Sequence, residues 1–352
     1  MLIALLIAGY IAPRVSPHFF WPPAIAGLLF PILIIANIIF LGIWFFNGRK
    51  FWRLSLLALL PALFLIPRYF NLGSGTSESA ENSIRVLSWN VRIFNKNEPN
   101  ARFEGRDEML KIIEEAEPDI ICLQEFYRLA GNDRDDHLDR ISEMTGLKHR
   151  QFLTAFRDRS GKYQWGLVIF SRYPIQESGR IRFEEGGSLN ACMYVDLDLP
   201  GGRARLFNTH LQSIRLSEAD FEFVDAQAGI NEKPSPKATL YKFRNAFRIR
   251  AGQADVLADA ILESPHPVIC IGDFNDPPMS YAYRHIRGDL KDAFINSGSG
   301  LGRTHSDIPI RIDYMFFDKT IDIYDYSIIR SDLSDHFPIV SDFNLSVSVS
   351  EE

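Results

Sequence analysis

Six times in this chain a strand-length run of apolar residues carries, at one end, a polar group able to do chemistry. Ile84-Arg-Val-Leu-Ser-Trp-Asn90 ends in an amide, and Pro118-Asp-Ile-Ile-Cys-Leu-Gln-Glu125 ends in a carboxylate. Phe207-Asn-Thr-His210 ends in an imidazole, and Val268-Ile-Cys-Ile-Gly-Asp273-Phe-Asn275 in a carboxylate and an amide. Arg311-Ile-Asp313-Tyr-Met-Phe-Phe places a further carboxylate at the head of a run, and Ser334-Asp335-His336 stands before another. Singly, such groups are ordinary turn formers. Together they describe buried strands that present acid-base or metal-binding groups at a sheet edge.

Helical spacing separates these runs. Met109, Leu110, Ile112 and Ile113 predict a helix over 107–116, ended by Pro118, and residues 138–145 predict another that stops at Gly146. Residues 165–172 read as a strand. Residues 191–199 and 203–210 flank Pro200-Gly-Gly202, a hairpin by its turn chemistry. The longest predicted helix runs over 240–262. Strands and helices mixed over about 265 residues, with hairpins among them, argue against a purely parallel doubly wound sheet.

The first seventy residues are of another kind. Residues 24–46 are almost uninterruptedly apolar, Asn37 excepted, and at ~1.5 Å per residue a helix of that length crosses a ~30 Å hydrocarbon core. A second stretch, 54–70, carries Pro61, Pro67 and Arg68 and is flanked by Phe51, Trp52, Tyr69 and Phe70, which suit an interfacial belt. Residues 1–12 are apolar but too short to span. The expectation is an α-helical transmembrane anchor over 1–70, two spans and a short N-terminal piece, then a flexible linker over 71–82 and a catalytic domain over 83–347. Arg49, Lys50 and Arg53 lie between the spans, which places that loop in the cytoplasm and the catalytic domain outside it. The chain is therefore read as an integral, multi-pass membrane protein, with the lipid bilayer as a partner.

The net charge of -6 excludes a basic nucleic-acid coat, so a polyanionic substrate needs a local basic patch and a metal. Cys122, Cys192 and Cys270 sit in apolar runs and read as core filling. Between residues 232 and 250, Lys233, Lys237, Lys242, Arg244, Arg248 and Arg250 alternate with Tyr241, Phe243 and Phe247. This stripe reads either as a surface for lipid headgroups or phosphates, or as a solvated helix face. His18, His137, His149, His266, His285 and His305 lack motif context and read as surface or turn residues, and Asp133–Asp136 as a solvated loop.

In order and spelling, Trp89-Asn90, Leu123-Gln124-Glu125, Asn208-Thr209-His210, Gly272-Asp273-Phe274-Asn275, Ile312-Asp313-Tyr314 and Ser334-Asp335-His336 resemble the endonuclease/exonuclease/phosphatase superfamily of metal-dependent phosphoesterases. The resemblance covers about three quarters of the chain. It implies an α/β fold of the α+β kind, a four-layer sandwich of two packed mixed β-sheets flanked by helices. It implies Mg2+, or Mn2+ in its place, with Glu125 as the main ligand, Asn90 as a second metal or phosphate contact, and Asp335 as a further ligand. Asp273 and Asn275 would position the attacking water and bind a phosphoryl oxygen. His336, oriented by Asp313, would be general base or phosphate donor, and His210 a phosphate donor or general acid. Arg92 stands where some nuclease members carry an acid, which speaks against a second metal there. The implied activity is hydrolysis of phosphodiesters, of a phospholipid headgroup (sphingomyelinase-like) or of nucleic acid, with an inositol-phosphate phosphatase as the alternative. A catalytically silent, membrane-anchored binding module is the rival of another class, and it predicts the loss of motif groups that are all present here.

Overall fold

A computed structural model of the chain describes residues 1–48, 50–73, 83–95, 104–129, 137–186, 189–214 and 235–345. Arg49, the connector residues 74–82, Asp133–Asp136, Lys233 and residues 346–347 lie outside the described residues.

Two six-stranded sheets form the body. The first has the order β13 (Ile321–Ile328), β14 (Ile339–Leu345), β2 (Ile84–Asn90), β3 (Ile120–Leu129), β5 (Tyr163–Ser171), β4 (His149–Arg157). The second has the order β10 (Lys291–Asp292), β12 (Asp313–Phe317), β9 (Val268–Asp273), β8 (Gly202–His210), β7 (Ala191–Leu199), β6 (Ile175–Ile181). In each, one parallel pair (β2 with β3, β8 with β9) is embedded among antiparallel neighbours. The inner faces meet through Ile84, Val86, Cys122, Ile169, Met193, Leu206, Ile271, Met315 and Phe343, all buried. Helices α5 (Glu104–Glu115) and α6 (His137–Thr145) cover the first sheet, Leu110, Ile113, Leu138 and Ile141 packing with Leu87, Leu123 and Phe170. Helices α7 (Pro236–Leu262) and α8 (Tyr281–Arg287) cover the second, Leu257, Ala282 and Tyr283 packing with Phe207, Cys270 and Phe316. This is the expected four-layer arrangement. It explains why β9 is buried throughout and apolar up to Gly272, because both its faces are covered. The three cysteines are free and buried, as their surroundings predict.

Polar groups tie the layers together. Gln124 Nε2 of the first sheet donates to Asn208 Oδ1 of the second at 2.8 Å, and Asn208 Nδ2 donates to the carbonyls of Leu123 and Val168 at 3.1 Å each. Inside a dry core such a network strongly favours one register of sheet on sheet, since any slip leaves its members unpaired. Near the other edge, Arg311 and Asp292 are both buried and form a bidentate pair at 2.6 and 2.8 Å.

The N-terminal region departs from expectation. The apolar stretch 24–46 is not one helix: α2 (Pro22–Leu28) and α3 (Phe30–Phe46) meet at a bend of 73°. Pro31 is the cause, because its ring excludes the carbonyl of Gly27 from a continuing helix and its nitrogen has no hydrogen to donate. The stretch 54–70 likewise splits into α4 (Trp52–Leu59) and a 3-10 segment (Leu60–Arg68) with Pro61 near its start and Pro67 inside it. Among the described residues no single helix is long and apolar enough to cross a membrane, although the bent pair passes by length and composition. The two expected spans are thus not two straight helices. The connector is also shorter than expected. Phe70–Leu72 forms β1, paired antiparallel with β11 (Ser299–Leu301), and Asn71 Nδ2 donates to the carbonyls of Phe294 and Ile295 at 2.9 Å.

Candidate active site

Strand direction gathers the motif groups at one edge. Asn90 closes β2 opposite Gln124, and His210 closes β8 opposite Asp273 of the parallel β9. Strand β12 runs antiparallel to β9, so its first residue, Asp313, also lies opposite Asp273. Glu125 needs a device of its own. Between Leu123 and Phe126 strand β3 carries a bulge, and Glu125 adopts φ 49, which re-aims its side chain. Asn275 leaves β9 at φ 54, after Gly272, whose Cβ would fall 2.0 Å from the Thr209 carbonyl oxygen. No side chain fits there. The Ser334–His336 loop is sewn to β2: Ser334 Oγ donates to Asn90 O, and Trp89 Nε1 to His336 O, both at 2.8 Å.

Asp273 is the hub. Its Oδ2 accepts from Asn90 Nδ2 and Asn275 Nδ2 at 3.1 Å each, and lies 3.5 Å from His210 Nε2 and 3.6 Å from His336 Nε2. Its Oδ1 accepts the Asn275 backbone N–H at 2.8 Å. Glu125 Oε1 is 3.3 Å from Asn90 Nδ2 and 3.6 Å from His210 Nε2. His210 Nδ1 lies 3.2 Å from the Leu189 carbonyl oxygen and donates to it, which turns Nε2 inward, buried and without a hydrogen-bond partner. His336 Nδ1 sits 3.1 Å from both oxygens of Asp313, so its Nε2 also faces the centre. Seven of the eight expected groups therefore form one connected set. Asp335 stands at its margin, 3.5 Å from Arg92 Nε and 4.0 Å from His305 Nε2.

Burial raises the Glu125 carboxyl above its usual value, against the pull of His210. Burial raises Asp313 as well, opposed chiefly by His336. Burial alone would lower His336, but the carboxylates of Asp313 and Asp273 outweigh it and hold the imidazole well above its ordinary value. Four carboxylates, of Glu125, Asp273, Asp313 and Asp335, thus crowd a region where a phosphodiester anion would have to sit. A divalent cation fits that excess of negative charge, and a donor set of carboxylate and amide oxygens suits Mg2+ or Mn2+. Ligand atoms of Asp273, Asp313 and His336 lie within 4.8 Å of one another, as do those of His305, Asp335 and His336.

Four participants escape the motif reading. His305 is half-buried in a turn, its Nδ1 accepting the backbone N–H groups of Asp307 and Ile308, but its ring also packs edge-on against His336, centroids 4.8 Å apart. Thr304 Oγ1 accepts from the N–H groups of Ile312 and Asp313, fixing the entry to β12. Arg250 does not belong to a solvated basic stripe but is buried, its Nη2 2.8 Å from Asp276 Oδ1. The sequence signal was present in Asp276, one residue past Asn275, but its partner lies 26 positions back. His137 too is buried rather than exposed. The rest of the stripe is divided: Lys237, Tyr241, Arg244 and Arg248 are exposed while Phe247 packs inward.

Residues 87–336 match the Endonuclease/Exonuclease/phosphatase family, and residues 1–69 match a domain of unknown function. A 5'-tyrosyl-DNA phosphodiesterase of Caenorhabditis briggsae is 20% identical over 215 residues, 60% of this chain. The match spans only 56% of that protein's length. Among solved structures, an endonuclease/exonuclease/phosphatase from Beutenbergia cavernae superposes with TM-score 0.54 at 24% identity, covering 76% of this chain and 72% of that one. The D. rerio protein TDP2, complexed with single-strand DNA product, superposes with TM-score 0.53 at 17% identity, covering 75% of this chain and all of that one (100%). These structural likenesses concern the fold.

Proposed function

Since the chain belongs to the endonuclease/exonuclease/phosphatase family, we propose that it is a divalent-metal-dependent hydrolase of phosphodiester bonds. The substrate is a nucleic acid, and the domain is held at a membrane by residues 1–69. One observation carries the hydrolytic reading: Asn90 and Glu125 of the first sheet, His210, Asp273, Asn275 and Asp313 at the ends of strands of the second, and His336 of a loop converge at one end of the sandwich with two imidazole Nε2 atoms turned inward. Glu125 and Asn90, with Asp335 at the margin, would hold the cation, which neutralises charge on the phosphoryl oxygens when bound. Asp273 orients a water for in-line attack, with Asn275 fixing the carboxylate from both its backbone and its side chain. His336, its ring set by Asp313, presents Nε2 to a phosphoryl oxygen, and His210 presents its own Nε2 from the opposite strand.

The nucleic-acid substrate is supported by the tyrosyl-DNA phosphodiesterase relative and the DNA-complexed neighbour. A phospholipid headgroup is the second reading. It is favoured by the apolar surface of the first seventy residues, where Phe19, Ile32, Ile35, Ile38, Ile39, Phe46 and Phe64 are all exposed. The test is hydrolysis of single-stranded DNA, RNA and sphingomyelin by the full chain, with and without Mg2+. Chelation is expected to abolish turnover, and Glu125→Gln to raise the Mg2+ concentration required, because one charge leaves the ligand set. Undiminished hydrolysis after exhaustive chelation would sink the metal-dependent reading.

A further inference from the structure

We infer that the apolar N-terminal helices are a positioning element of the catalytic loop and not a detached anchor. The four residues after Asn275 lead straight into the N-terminal bundle. Met279 is 2% exposed, enclosed with Leu6, Ala26, Phe30 and Leu33 in one apolar cluster. Its carbonyl oxygen lies against Gly27 of α2 so closely that a Cβ at Gly27 would stand 2.2 Å from it. Arg68, at the end of the bundle, donates from Nη1 to the Pro278 carbonyl at 3.1 Å and lies 3.5 Å from the Met279 sulfur. Beyond the loop, His18 approaches Gly252 of α7, and β1 pairs with β11.

The loop between these contacts and the site is stiff. Asp276 is buried, ion-paired to Arg250, and its carbonyl accepts the Tyr314 hydroxyl at 2.7 Å. The Ser280 N–H donates to Pro277 O, and Asn275 Nδ2 donates to Leu211 O at 3.0 Å. A displacement imposed at Met279 therefore has little slack to absorb it before Asn275 and Asp273. Glycine at 27, in the last turn of α2, is explained by this contact: only its bare Cα lets the loop carbonyl approach. The element that holds the catalytic carboxylate and amide is thus clamped between α7 and the apolar helices. Whatever surrounds those helices bears on the geometry of hydrolysis.

Two glycine substitutions in the full chain decide the matter. Gly27→Ala drives a methyl into the Met279 carbonyl, whereas Gly42→Ala, on the same bundle, meets nothing within 4 Å. Gly27→Ala is expected to lower kcat about tenfold with KM changed less than about twofold, as a small misplacement of reacting groups does. It should also speed hydrogen exchange at the backbone amides of residues 274–280. Gly42→Ala should do neither. Arg68→Ala should act in the same direction as Gly27→Ala, with Arg68→Lys restoring part of the loss, which keeps the test decisive if Gly27→Ala does not fold. Parental kcat and parental exchange in both Gly27→Ala and Arg68→Ala overturn the inference. The kinetic readout rests on the hydrolytic reading above and the exchange readout does not. A parent without phosphodiesterase activity therefore defeats that reading and leaves the clamp to be judged by exchange alone.

Discussion

Glu125 and Asn275 occupy the left-handed region, at φ 49 and 54, and each places a polar group that a regular strand would point elsewhere. Backbone strain of this kind costs on the order of 1–3 kcal/mol per residue and persists where surrounding contacts over-determine it. Here those contacts are the bulge in β3 and the paired hydrogen bonds of Asn275. At the same scale, His336 and His305 form an edge-to-face pair in which only one belongs to a recognisable motif. His336→Ala is expected to lower turnover at least ~10²-fold with the fold intact, the usual scale for an acid-base or electrostatic group. His305→Ala, which motif reading alone would class with the parent, is expected to lose about tenfold by freeing the His336 ring. Steady-state kinetics beside a thermal melt checks both. Parental turnover in His305→Ala would show that the contact between the rings is idle.

Among the elements, the short helix α9 (Ala293–Ser297) depends most on one side chain. Asp292 caps it, accepting the Phe294 and Ile295 N–H groups, while also accepting the Tyr283 hydroxyl and pairing with Arg311. Burial alone would raise this carboxyl, but the Arg311 guanidinium outweighs it and holds the carboxyl below its ordinary value of 3.8. Asp292→Asn leaves a buried guanidinium unpaired and is expected to cost about 3–5 kcal/mol. The sign of its pH dependence follows. A depressed folded-state value means that the carboxylate stabilises the fold above 3.8 and loses that effect as pH falls through the folded value. The stability gap between parent and variant should then be constant through neutral pH and narrow only in strong acid. Urea unfolding at several pH values measures it. A gap that widens on acidification would contradict the assignment.

For the whole molecule, the contrast lies between a body with dry inner faces and N-terminal helices whose outer faces are apolar. Ile32, Ile35, Ile38, Ile39 and Ile43 of α3 are exposed, while the opposite side buries Phe30 and Leu33 against α1 (Leu2–Ile11) and Met279. Exposed apolar surface of this extent marks an interaction site, and a bilayer is the partner proposed for it. With Lys50 and Arg53 on the cytoplasmic side, the catalytic edge lies on the other side of the membrane under the same proposal. A reporter fused after Glu352 that works only outside the cytoplasm is expected to be active. Activity of a cytoplasm-only reporter there would reverse the topology.

Local rules reach a definite distance in this chain. The runs ending at Asn90, Glu125, His210 and Asp273 could be read as strands, and their polar ends as one site, because strand periodicity and turn chemistry act over a few residues. The four layers were implied by the motif resemblance, while mixed strand and helix signals only argued against a purely parallel sheet. What those rules could not supply depends on partners distant in sequence. The Arg250–Asp276 pair, the Gln124–Asn208 lock and the seating of His305 on His336 join residues 26, 84 and 31 positions apart. Hydropathy, which sums over neighbours, made residues 24–46 a single span, and Gly/Ser-rich composition made residue 71 the start of a linker. The bend at Pro31 and the pairing of Phe70–Leu72 with Ser299–Leu301 came from stereochemistry and from a strand more than two hundred residues away. Composition marked the N-terminal helices as apolar, but only tertiary packing decided that they bear on the catalytic loop, since a glycine's bare Cα acquires meaning from the carbonyl brought against it.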